Sequence, residues 1–376
     1  MSDIYLDYNA STPVDPEVAT AMWPFIQSQH GNPSSVHSFG RALKQAMDAA
    51  RSRVAVLLGC EPSEISFNSG ASEANNTVIK GAAFTLRGRG NHIITSQVEH
   101  PSIINACRFL EKQGIAVTYV GVDRFCSVDP DSVRRAITPR TILVSIMHAN
   151  NEVGTLQPIA EISRIVREHG ILLHTDAAQS VGKIPVSIRE LGVDLMSVAG
   201  HKFYAPKGVG ALYRRGGVAL EPLIHGAGQE DGFRSGTQNA PYIVALGKAA
   251  ELAMREPDAG ASHSRSLRDH FQQELLRRLG ERIVINGHPE LRLPNTLHVS
   301  FRNITGVDLL ARAPRIATST GAACHSGQVH LSATLMAMGI APEIGAGSVR
   351  FSVGRFTTRD EIDQAAEWIE TACAGL

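Results

Sequence analysis

The chain has 376 residues, which at roughly 150 residues per domain allows two or three domains and a large hydrophobic core. Its 36 lysines and arginines balance 36 aspartates and glutamates, so no cationic field is available to hold a nucleic acid or an anionic membrane. Hydrophobic residues make up 43% of the chain and charged residues 19%, which excludes an intrinsically disordered protein.

The pattern of apolar residues and cysteines narrows the class of protein further. The longest apolar runs, such as residues 141–147, fall far short of the roughly 20 residues that span a bilayer. Residues 1–5 lack the basic and then apolar pattern of a signal peptide, so we expect a cytoplasmic protein. The five cysteines include no C-x-x-C pair, which argues against a disulfide framework and against a zinc site.

The first predicted elements are a helix and a turn rich in small residues. Residues 40–59 place Leu43, Met47 and Val54 on one helical stripe, and Gly59 is typical of a helix end. Residues 67–76 predict a strand-to-helix turn, where the backbone N–H groups of Ala71 and Ser72 can bind an anion. Taken alone, this turn is explained equally well as a capped helix start.

From residue 92 onward, β-branched runs alternate with amphipathic stretches. The predicted strands cover residues 92–96, 116–120, 141–147, 171–175, 195–198 and 209–213. Strands that are apolar along their length and separated by helices, such as the one predicted at 158–167, favour a mainly parallel sheet covered on both faces. Ligands of such sheets bind at the carboxyl ends of the strands, so the residues that follow each strand are candidates for a site.

The C-terminal third predicts a second, smaller unit. Residues 255–264 are polar and small, which is typical of a domain boundary. An amphipathic helix at 267–279 and apolar runs at 282–285 and 296–301 then indicate an α+β domain.

Four side chains come one to four residues after the end of a predicted strand, namely His100, Asn151, Asp176 and Lys202. A lysine amine that can form a Schiff base, with a carboxylate that keeps a pyridine nitrogen protonated, is the pair that pyridoxal phosphate requires. Each residue alone is better explained as a loop lysine, a capping aspartate or a structural histidine. Their joint occurrence at one sheet edge favours the cofactor.

Ten motifs carry a resemblance to a known family, at residues 5–13, 30–35, 69–76, 98–100, 149–154, 174–179, 200–202, 234–237, 321–326 and 349–355. With these motifs the sequence resembles the cysteine desulfurases and selenocysteine lyases, which are pyridoxal-phosphate enzymes of the fold type I transferase class. The resemblance implies an α/β fold, with a large domain on a mainly parallel seven-stranded sheet and a smaller α+β domain. It places the cofactor domain at 13–260, and the small domain at 1–12 and 261–376, the latter carrying a catalytic cysteine loop.

The same resemblance implies a role for each site residue. Lys202 would form a Schiff base with the cofactor, Asp176 would contact the pyridine nitrogen, and His100 would lie on the face of the ring. Asn151 and Gln179 would contact the phenolic oxygen of the ring. The phosphate group would be bound by Ala71, Ser72 and His201. Thr237 would reach the phosphate from the second subunit of a homodimer. The carboxylate of the substrate would bind Arg350, and the substrate would also contact Asn32 and Asn151. Lys202 and His100 would be catalytic, with Cys324 as the nucleophile.

These roles imply the transfer of sulfur or selenium. A Cys324 thiolate that attacks the sulfur of L-cysteine would become a persulfide and leave alanine, and an acceptor protein would then collect the sulfur. Residues 319–327 are small and rich in glycine, which is typical of a flexible loop. The alternative for these residues is a buried turn.

Three departures from the family pattern matter. Ala199 replaces a serine that helps to bind phosphate in many desulfurases, so one phosphate bond is missing or replaced. Residues 321–326 resemble selenocysteine lyases more than housekeeping desulfurases, so L-selenocysteine is an alternative substrate. Pro314 should shorten a helix that is continuous in the family. An aminotransferase on the same fold and a scaffold protein without enzymatic activity are further alternatives.

Overall fold

The computed structural model describes residues 3–255, 257–325 and 328–374. In chain order its strands are β1 (Ile4–Tyr5), β2 (Ile65–Asn68), β3 (His92–Ser96), β4 (Ala116–Val120), β5 (Thr141–Ser145), β6 (Leu172–Asp176), β7 (Leu195–Ala199), β8 (Gly210–Arg214), β9 (Ile283–Asn286), β10 (Thr296–Phe301), β11 (Ile316–Ala317), β12 (Ser319–Thr320), β13 (Ala322–His325), β14 (Gln328–Leu331) and β15 (Ser348–Ser352). Its α-helices are α1 (Pro16–Gln27), α2 (Ser38–Leu58), α3 (Ala71–Thr85), α4 (Pro101–Glu111), α5 (Pro130–Ala136), α6 (Ile159–Glu168), α7 (Ile188–Leu191), α8 (Ala240–Arg255), α9 (Pro257–Leu279), α10 (Gly306–Arg312), α11 (Ala333–Ala337), α12 (Pro342–Gly345) and α13 (Arg359–Ala372).

A seven-stranded sheet lies in the order β2–β8–β7–β6–β5–β3–β4. Strand β8 runs antiparallel to both of its neighbours, and the other pairs are parallel. Strands β3, β5 and β7 are buried along their whole length, as expected when both faces of a sheet are covered. The predicted seven-stranded, mainly parallel sheet is confirmed. The residues that follow β3, β5, β6 and β7 therefore reach the same edge.

The predicted helix at 40–59 is α2. Leu43, Met47 and Val54 are buried on one face of it, and Gly59 ends the helix with a φ of 72°. This left-handed conformation favours glycine, which explains where the helix stops. Helix α8 packs so closely against α2 that a Cβ on Gly247 would lie 2.5 Å from the Cβ of Ala50. The contact leaves room for glycine alone at that position.

A second sheet is antiparallel and contains β12, β15, β10 and β9 in that order. Its hydrophobic cluster combines Ile4 and Leu6 from the N-terminal segment with Phe271, Phe301 and Phe351. Strand β1 also pairs with β11, which adds backbone hydrogen bonds to this association. The two ends of the chain thus share one core. This arrangement supports the division into 13–260 and 1–12 with 261–376, which we retain as a proposal.

Two expectations for the C-terminal third have different outcomes. The polar stretch predicted as a boundary at 255–264 is largely helical, because α9 already begins at Pro257. Residues 259, 260, 262 and 263 are exposed, so the small and polar side chains of this stretch belong to a solvent-facing helix surface. Helix α10 ends at Arg312, two residues before Pro314, as predicted from the proline.

The described residues were also compared with the requirements of a membrane-spanning helix and of a metal-binding cluster. None of the helices formed by these residues combines the length and apolar character needed to cross a membrane. The same part of the chain contains no cluster of three or more histidine, cysteine or acidic side chains that could hold a metal ion.

Candidate active site

The predicted site residues lie where parallel strands of the main sheet end. His100 is the residue before α4 and follows β3, and Asp176 is the last residue of β6. Lys202 closes a single 3₁₀ turn, Gly200–Lys202, directly after β7. Hydrogen bonds join Asp176 to His100, and Lys202 to the N-terminal segment, through partners that the sequence analysis did not single out.

Lys202 reaches back to the N-terminal segment. Its Nζ donates hydrogen bonds to the carbonyl oxygens of Asn9, at 2.6 Å, and Ala10, at 2.9 Å. Burial, with a smaller effect of the Arg350 guanidinium, lowers the pKa of Lys202 to about 8, although nearby carboxylates, chiefly Asp176, act in the opposite direction. At neutral pH more of this amine is unprotonated than in an ordinary lysine. It is therefore suited to nucleophilic attack and to accepting a proton.

Asp176 and His100 are linked by two intervening side chains. Asp176 is 5% exposed, and its Oδ2 accepts a hydrogen bond from Nδ2 of Asn75 at 2.7 Å. The same Nδ2 donates to Oγ of Ser102 at 2.8 Å, and this Oγ lies 2.8 Å from Nδ1 of His100. Asn75 and Ser102 thus join the carboxylate to the imidazole. Asn75 lies in the motif at 69–76, but only the contact reveals its role.

The hydrogen bonds of His100 determine its tautomer. Its Nδ1 accepts the backbone N–H of Ser102 and so caps α4. A neutral ring with Nδ1 as acceptor carries its proton on Nε2. Burial lowers the pKa of His100, Asp176 opposes this change and Lys202 adds to it. At neutral pH His100 is mainly a neutral side chain that can donate from Nε2.

The start of α3 has the features of an anion site. Gly70 precedes it with a φ of 139°, and a Cβ there would meet nothing within 4 Å. Among the described residues the backbone N–H groups of Ala71 and Ser72 have no acceptor. Open N–H groups at the start of a 15-residue helix fit a phosphate group. Burial lowers the pKa of His201 to about 4, so this side chain would contact a phosphate as a neutral donor.

Asn9 is a buried residue of the N-terminal segment, and sequence reasoning overlooked it. Its carbonyl oxygen accepts from Nε2 of Gln179 at 2.9 Å as well as from Lys202. Its Oδ1 accepts from Nζ of Lys183 at 2.8 Å, and its Nδ2 donates to the carbonyl oxygen of Asn151 at 3.3 Å. The only available signal was its place in the motif at 5–13.

Arg350 lies in the middle of β15 and is 8% exposed. Its Nη2 donates to Oδ1 of Asp7 at 2.6 Å and to Oγ of Ser319 at 3.0 Å, and its Nη1 donates to the carbonyl oxygen of Asn151 at 3.0 Å. Its Nε is buried without a partner among the described residues. The guanidinium is thus fixed in place and keeps a donor for a carboxylate. Asn151 contributes its backbone to this arrangement.

Two predicted residues are not joined to this network, and for a third, Cys324, only the backbone is described. Thr237 and Asn32 are exposed, and in the part of the chain that the structure describes neither forms a hydrogen bond to the residues around Lys202. The loop predicted at 319–327 is instead paired strand backbone up to His325, with Cys324 opposite Val329 of β14. The alternation of Val329 and Leu331 with polar residues is the strand signal that was missed. The Cys324 side chain lies outside the described atoms.

Glu99 lies directly before His100 and is buried. Its Oε1 accepts from Oγ of Ser96 at 2.6 Å and from the backbone N–H of Met147 at 2.9 Å. Its Oε2 has no partner among the residues described. Burial raises the pKa of Glu99 to about 8, and the charge of Asp176 adds to the effect. At neutral pH Glu99 is therefore mostly protonated and adds little negative charge beside Asp176.

We expect Glu99→Gln to flatten the pH dependence of stability between about pH 5 and 8. The folded-state pKa of about 8 exceeds the ordinary value of 4.5, so the folded protein keeps a proton that the unfolded chain releases. This contribution to stability is present below the unfolded pKa and is lost as the pH rises through the folded pKa, at roughly 1.4 kcal/mol per pH unit.

Glutamine cannot ionise, so in urea unfolding at several pH values the stability of Glu99→Gln relative to the wild type should rise as the pH increases from about 5 to 8. Glu111→Gln, at the exposed end of α4, is the matched control, and its stability should keep a constant difference from the wild type. Parallel curves for the wild type and Glu99→Gln would contradict the prediction.

The comparisons with known proteins agree with this geometry. Residues 4–365 match the family model for aminotransferase class-V. The cysteine desulfurase IscS of Dictyoglomus turgidum is 46% identical over 370 residues, which cover 98% of this chain and 94% of that protein. The chain belongs to the cysteine desulfurase group of the class-V aminotransferase family. A second relative, cysteine desulfurase IscS of Methanosarcina thermophila, is 46% identical over 366 residues, which cover 97% of this chain and 90% of that protein.

Solved structures of cysteine desulfurase relatives share the fold. A NifS-like protein superposes with a TM-score of 0.93 at 40% identity and covers 100% of both chains. The structure of SspA in complex with cysteine has a TM-score of 0.84 at 36% identity and covers 94% of this chain and 100% of the other. The family resemblance and the fold type predicted from the sequence are confirmed.

Class-V aminotransferases and cysteine desulfurases are pyridoxal-phosphate enzymes. The residues present here fit that cofactor. Asp176 is a buried carboxylate with an amide partner, Lys202 is an amine with a lowered pKa, and the start of α3 carries open N–H groups. These are the counterparts of a pyridine nitrogen, an aldehyde and a phosphate.

Proposed function

We propose that the protein is a pyridoxal-phosphate-dependent cysteine desulfurase, which converts L-cysteine to L-alanine and transfers the sulfur to Cys324. The observation that carries this proposal is the amine of Lys202, which lies at the same sheet edge as Asp176 and His100 with its pKa lowered to about 8. The chain also aligns over 98% of its length with a cysteine desulfurase.

The cofactor would be held by residues of five strand ends, those of β2, β3, β5, β6 and β7. When bound, pyridoxal phosphate supplies an aldehyde for covalent attachment to amines and a ring that accepts electrons. We assign Lys202 to the aldehyde carbon, Asp176 to the ring nitrogen and His100 to the face of the ring. Gln179 and Asn151 would contact the phenolic oxygen. Ala71, Ser72 and His201 would bind the phosphate group. Ala199 is the buried last residue of β7 and has no hydroxyl to add to the phosphate contacts.

The substrate would be oriented through its carboxylate. Arg350 is held by Asp7 and by the Asn151 carbonyl, and its buried Nε has no partner among the described residues, so it could pair with a carboxylate oxygen of the substrate. Asn32 and Asn151 are the other proposed substrate contacts. Lys202 would take the Cα proton of the substrate on Nζ as general base.

Sulfur transfer would then depend on Cys324. Its thiolate attacks the substrate sulfur, so an S–S bond forms while the C–S bond breaks. The electron pair of the C–S bond would stay on Cβ, which takes up a proton, and the proton that Lys202 removed would return to Cα, so that the product is alanine. Cys324 is left as a persulfide, and a thiol of an acceptor protein would receive the outer sulfur. A homodimer, in which the exposed Thr237 approaches the phosphate of the other subunit, is part of the proposal.

We expect Cys324→Ala to lower alanine formation from L-cysteine at least about 100-fold, because no thiolate remains to accept the sulfur. Alanine and sulfide would be measured with L-cysteine and, separately, with L-selenocysteine. Cys60→Ala, which removes another free thiol, is the control. Undiminished turnover of L-cysteine by Cys324→Ala would contradict the desulfurase proposal.

The same experiment separates the alternatives. The sequence at 321–326 favours selenocysteine lyase as the second candidate, and that enzyme would keep its turnover of L-selenocysteine in Cys324→Ala. An aminotransferase would consume a 2-oxo acid without a role for Cys324. A scaffold protein would show no visible absorbance after purification.

A further inference from the structure

Lys183 is an inward-facing lysine that the proposed reaction does not use. Its Nζ donates hydrogen bonds to Oδ1 of Asn9 at 2.8 Å and to Oε1 of Gln179 at 2.7 Å. Both acceptors are neutral amides, whereas an inward-facing lysine usually pairs with a carboxylate. Neutral amides offset less of the free energy that an amine loses on leaving water than a carboxylate would. The position of Lys183 therefore requires an explanation.

The turn that carries Lys183 packs against the segment that carries Lys202. Gly182 has a φ of 76°, and a Cβ there would lie 2.6 Å from the Cβ of Phe203. The backbone N–H of Lys183 donates to the carbonyl oxygen of Ser180 at 3.0 Å, which closes the turn. Only glycine fits at position 182, and this close contact fixes the distance between the two lysine-bearing segments.

The contacts of Lys183 decide which way the Gln179 amide faces. Oε1 of Gln179 accepts from Lys183, and Nε2 donates to the carbonyl oxygen of Asn9 at 2.9 Å. Rotating this amide by half a turn would place N–H against N–H and C=O against C=O, so both bonds would be lost. Because Gln179 is 5% exposed, water cannot readily replace the two lost hydrogen bonds. Lys183 therefore selects one of the two orientations.

That orientation places an N–H group beside the amine of Lys202. Nε2 of Gln179 and Nζ of Lys202 donate to the same carbonyl oxygen, that of Asn9. Burial lowers the pKa of Lys183 well below its usual value, and the charges of Lys202 and Arg350 lower it further. A neutral amine still has two hydrogens for its two acceptors, so the orientation does not depend on the charge of Lys183.

We propose that Lys183 is a positioning residue, which fixes the Gln179 amide so that its N–H, and not its C=O, faces the ring oxygen of a cofactor joined to Lys202. The proposal rests on the proposed function and deepens it. Lys183 donates to Gln179 and Asn9, and in this proposal it acts through these two residues.

The test uses purified holoenzyme variants and begins with borohydride reduction and peptide mapping. A pyridoxyl group on Lys202 of the wild type supports the proposed function independently of Lys183. The visible absorbance of each protein is then titrated with pH. For Lys183→Met we expect the apparent pKa of the visible band to rise by about one unit, because the ring oxygen loses its N–H donor. We also expect kcat to fall about tenfold while KM for L-cysteine changes less than about twofold.

Two matched variants separate the hydrogen bond from the charge. Lys183→Gln keeps an N–H donor without the charge and should titrate close to the wild type. Lys207→Met removes an exposed positive charge from the loop after Lys202 and should leave the titration unchanged. The proposal is overturned if the apparent pKa of the visible band shifts as far in Lys183→Gln as it does in Gln179→Ala. This comparison remains valid even if Lys183→Met does not fold.

A double-mutant cycle tests whether Lys183 acts through Gln179. If it does, Lys183→Met causes no further shift and no further loss of kcat in a Gln179→Ala background. If the losses of kcat caused by the two substitutions multiply in the double variant, and their pKa shifts add, the positioning role is overturned. Unchanged titrations of the Lys183 variants, with the pyridoxyl group present on Lys202, overturn this inference alone, whereas absence of that group in the wild type overturns the proposed function.

Discussion

Replacing Lys202 with alanine is expected to lower the turnover of L-cysteine by about 10⁴-fold or more, the largest effect of any single substitution proposed for this chain. The amine combines two tasks, covalent attachment of the cofactor and removal of the Cα proton. Its lowered pKa, about 8, suits both tasks at neutral pH. Its bonds to the carbonyl oxygens of Asn9 and Ala10 hold it in place, and no neighbouring amine has the same partners among the described residues.

Two measurements check this expectation. Alanine formation reports the loss of turnover, and borohydride reduction with peptide mapping shows whether a lysine is attached to the cofactor. Lys207→Ala is the matched control, because Lys207 is an exposed lysine of the same loop. A pyridoxyl group found on Lys183 instead of Lys202 would contradict the assignment, and the closeness of both amines to Asn9 makes that comparison informative.

The second large effect is expected for Asp176→Asn, with kcat about 10³-fold lower and the cofactor still attached to Lys202. A neutral amide cannot keep a proton on the ring nitrogen as a carboxylate does. The side chain also accepts two hydrogen bonds, from Asn75 Nδ2 at 2.7 Å and from the backbone N–H of Ala178 at 2.9 Å. In either orientation the asparagine N–H₂ would face one of these donors, so a loss of stability of about 1–3 kcal/mol should accompany the loss of activity.

Kinetics and urea unfolding would separate the two consequences of Asp176→Asn. Asp131→Asn removes an exposed carboxylate at the start of α5 and should change neither kcat nor stability appreciably. Reduced stability with unchanged kcat would show that Asp176 has a structural role alone, and would contradict the proposed contact with the ring nitrogen.

Much of the site was predictable because it follows from local pattern and a general rule of topology. Asp176 ends an apolar run, and His100 and Lys202 come three or four residues after one, and parallel strands bring such positions to one edge. Helix α2 and its end at Gly59 were equally visible as a stripe and a glycine. The small and polar composition at 255–264 belongs to the exposed face of a helix, which composition alone does not distinguish from a loop.

The residues that tie the site together were not predictable in this way. Asp7 meets Arg350 across 343 positions of the chain, and Asn9 meets Lys202 across 193. Asn75 and Ser102 join Asp176 to His100 only because α3 and α4 pack side by side. No periodicity or spacing encodes such contacts, since each depends on how distant segments pack against each other.

The amino-acid sequence by itself determined the class of protein, the order of the elements and which side chains reach the edge of the main sheet. These properties depend on hydrophobic periodicity and on residue types within short windows, which a single chain displays directly. Only the tertiary structure decided the partner of each side chain, the tautomer of His100, the orientation of Gln179 and the lowered pKa of Lys202. Those properties depend on burial and on charges a few ångströms away, and packing brings both to a residue from remote parts of the chain.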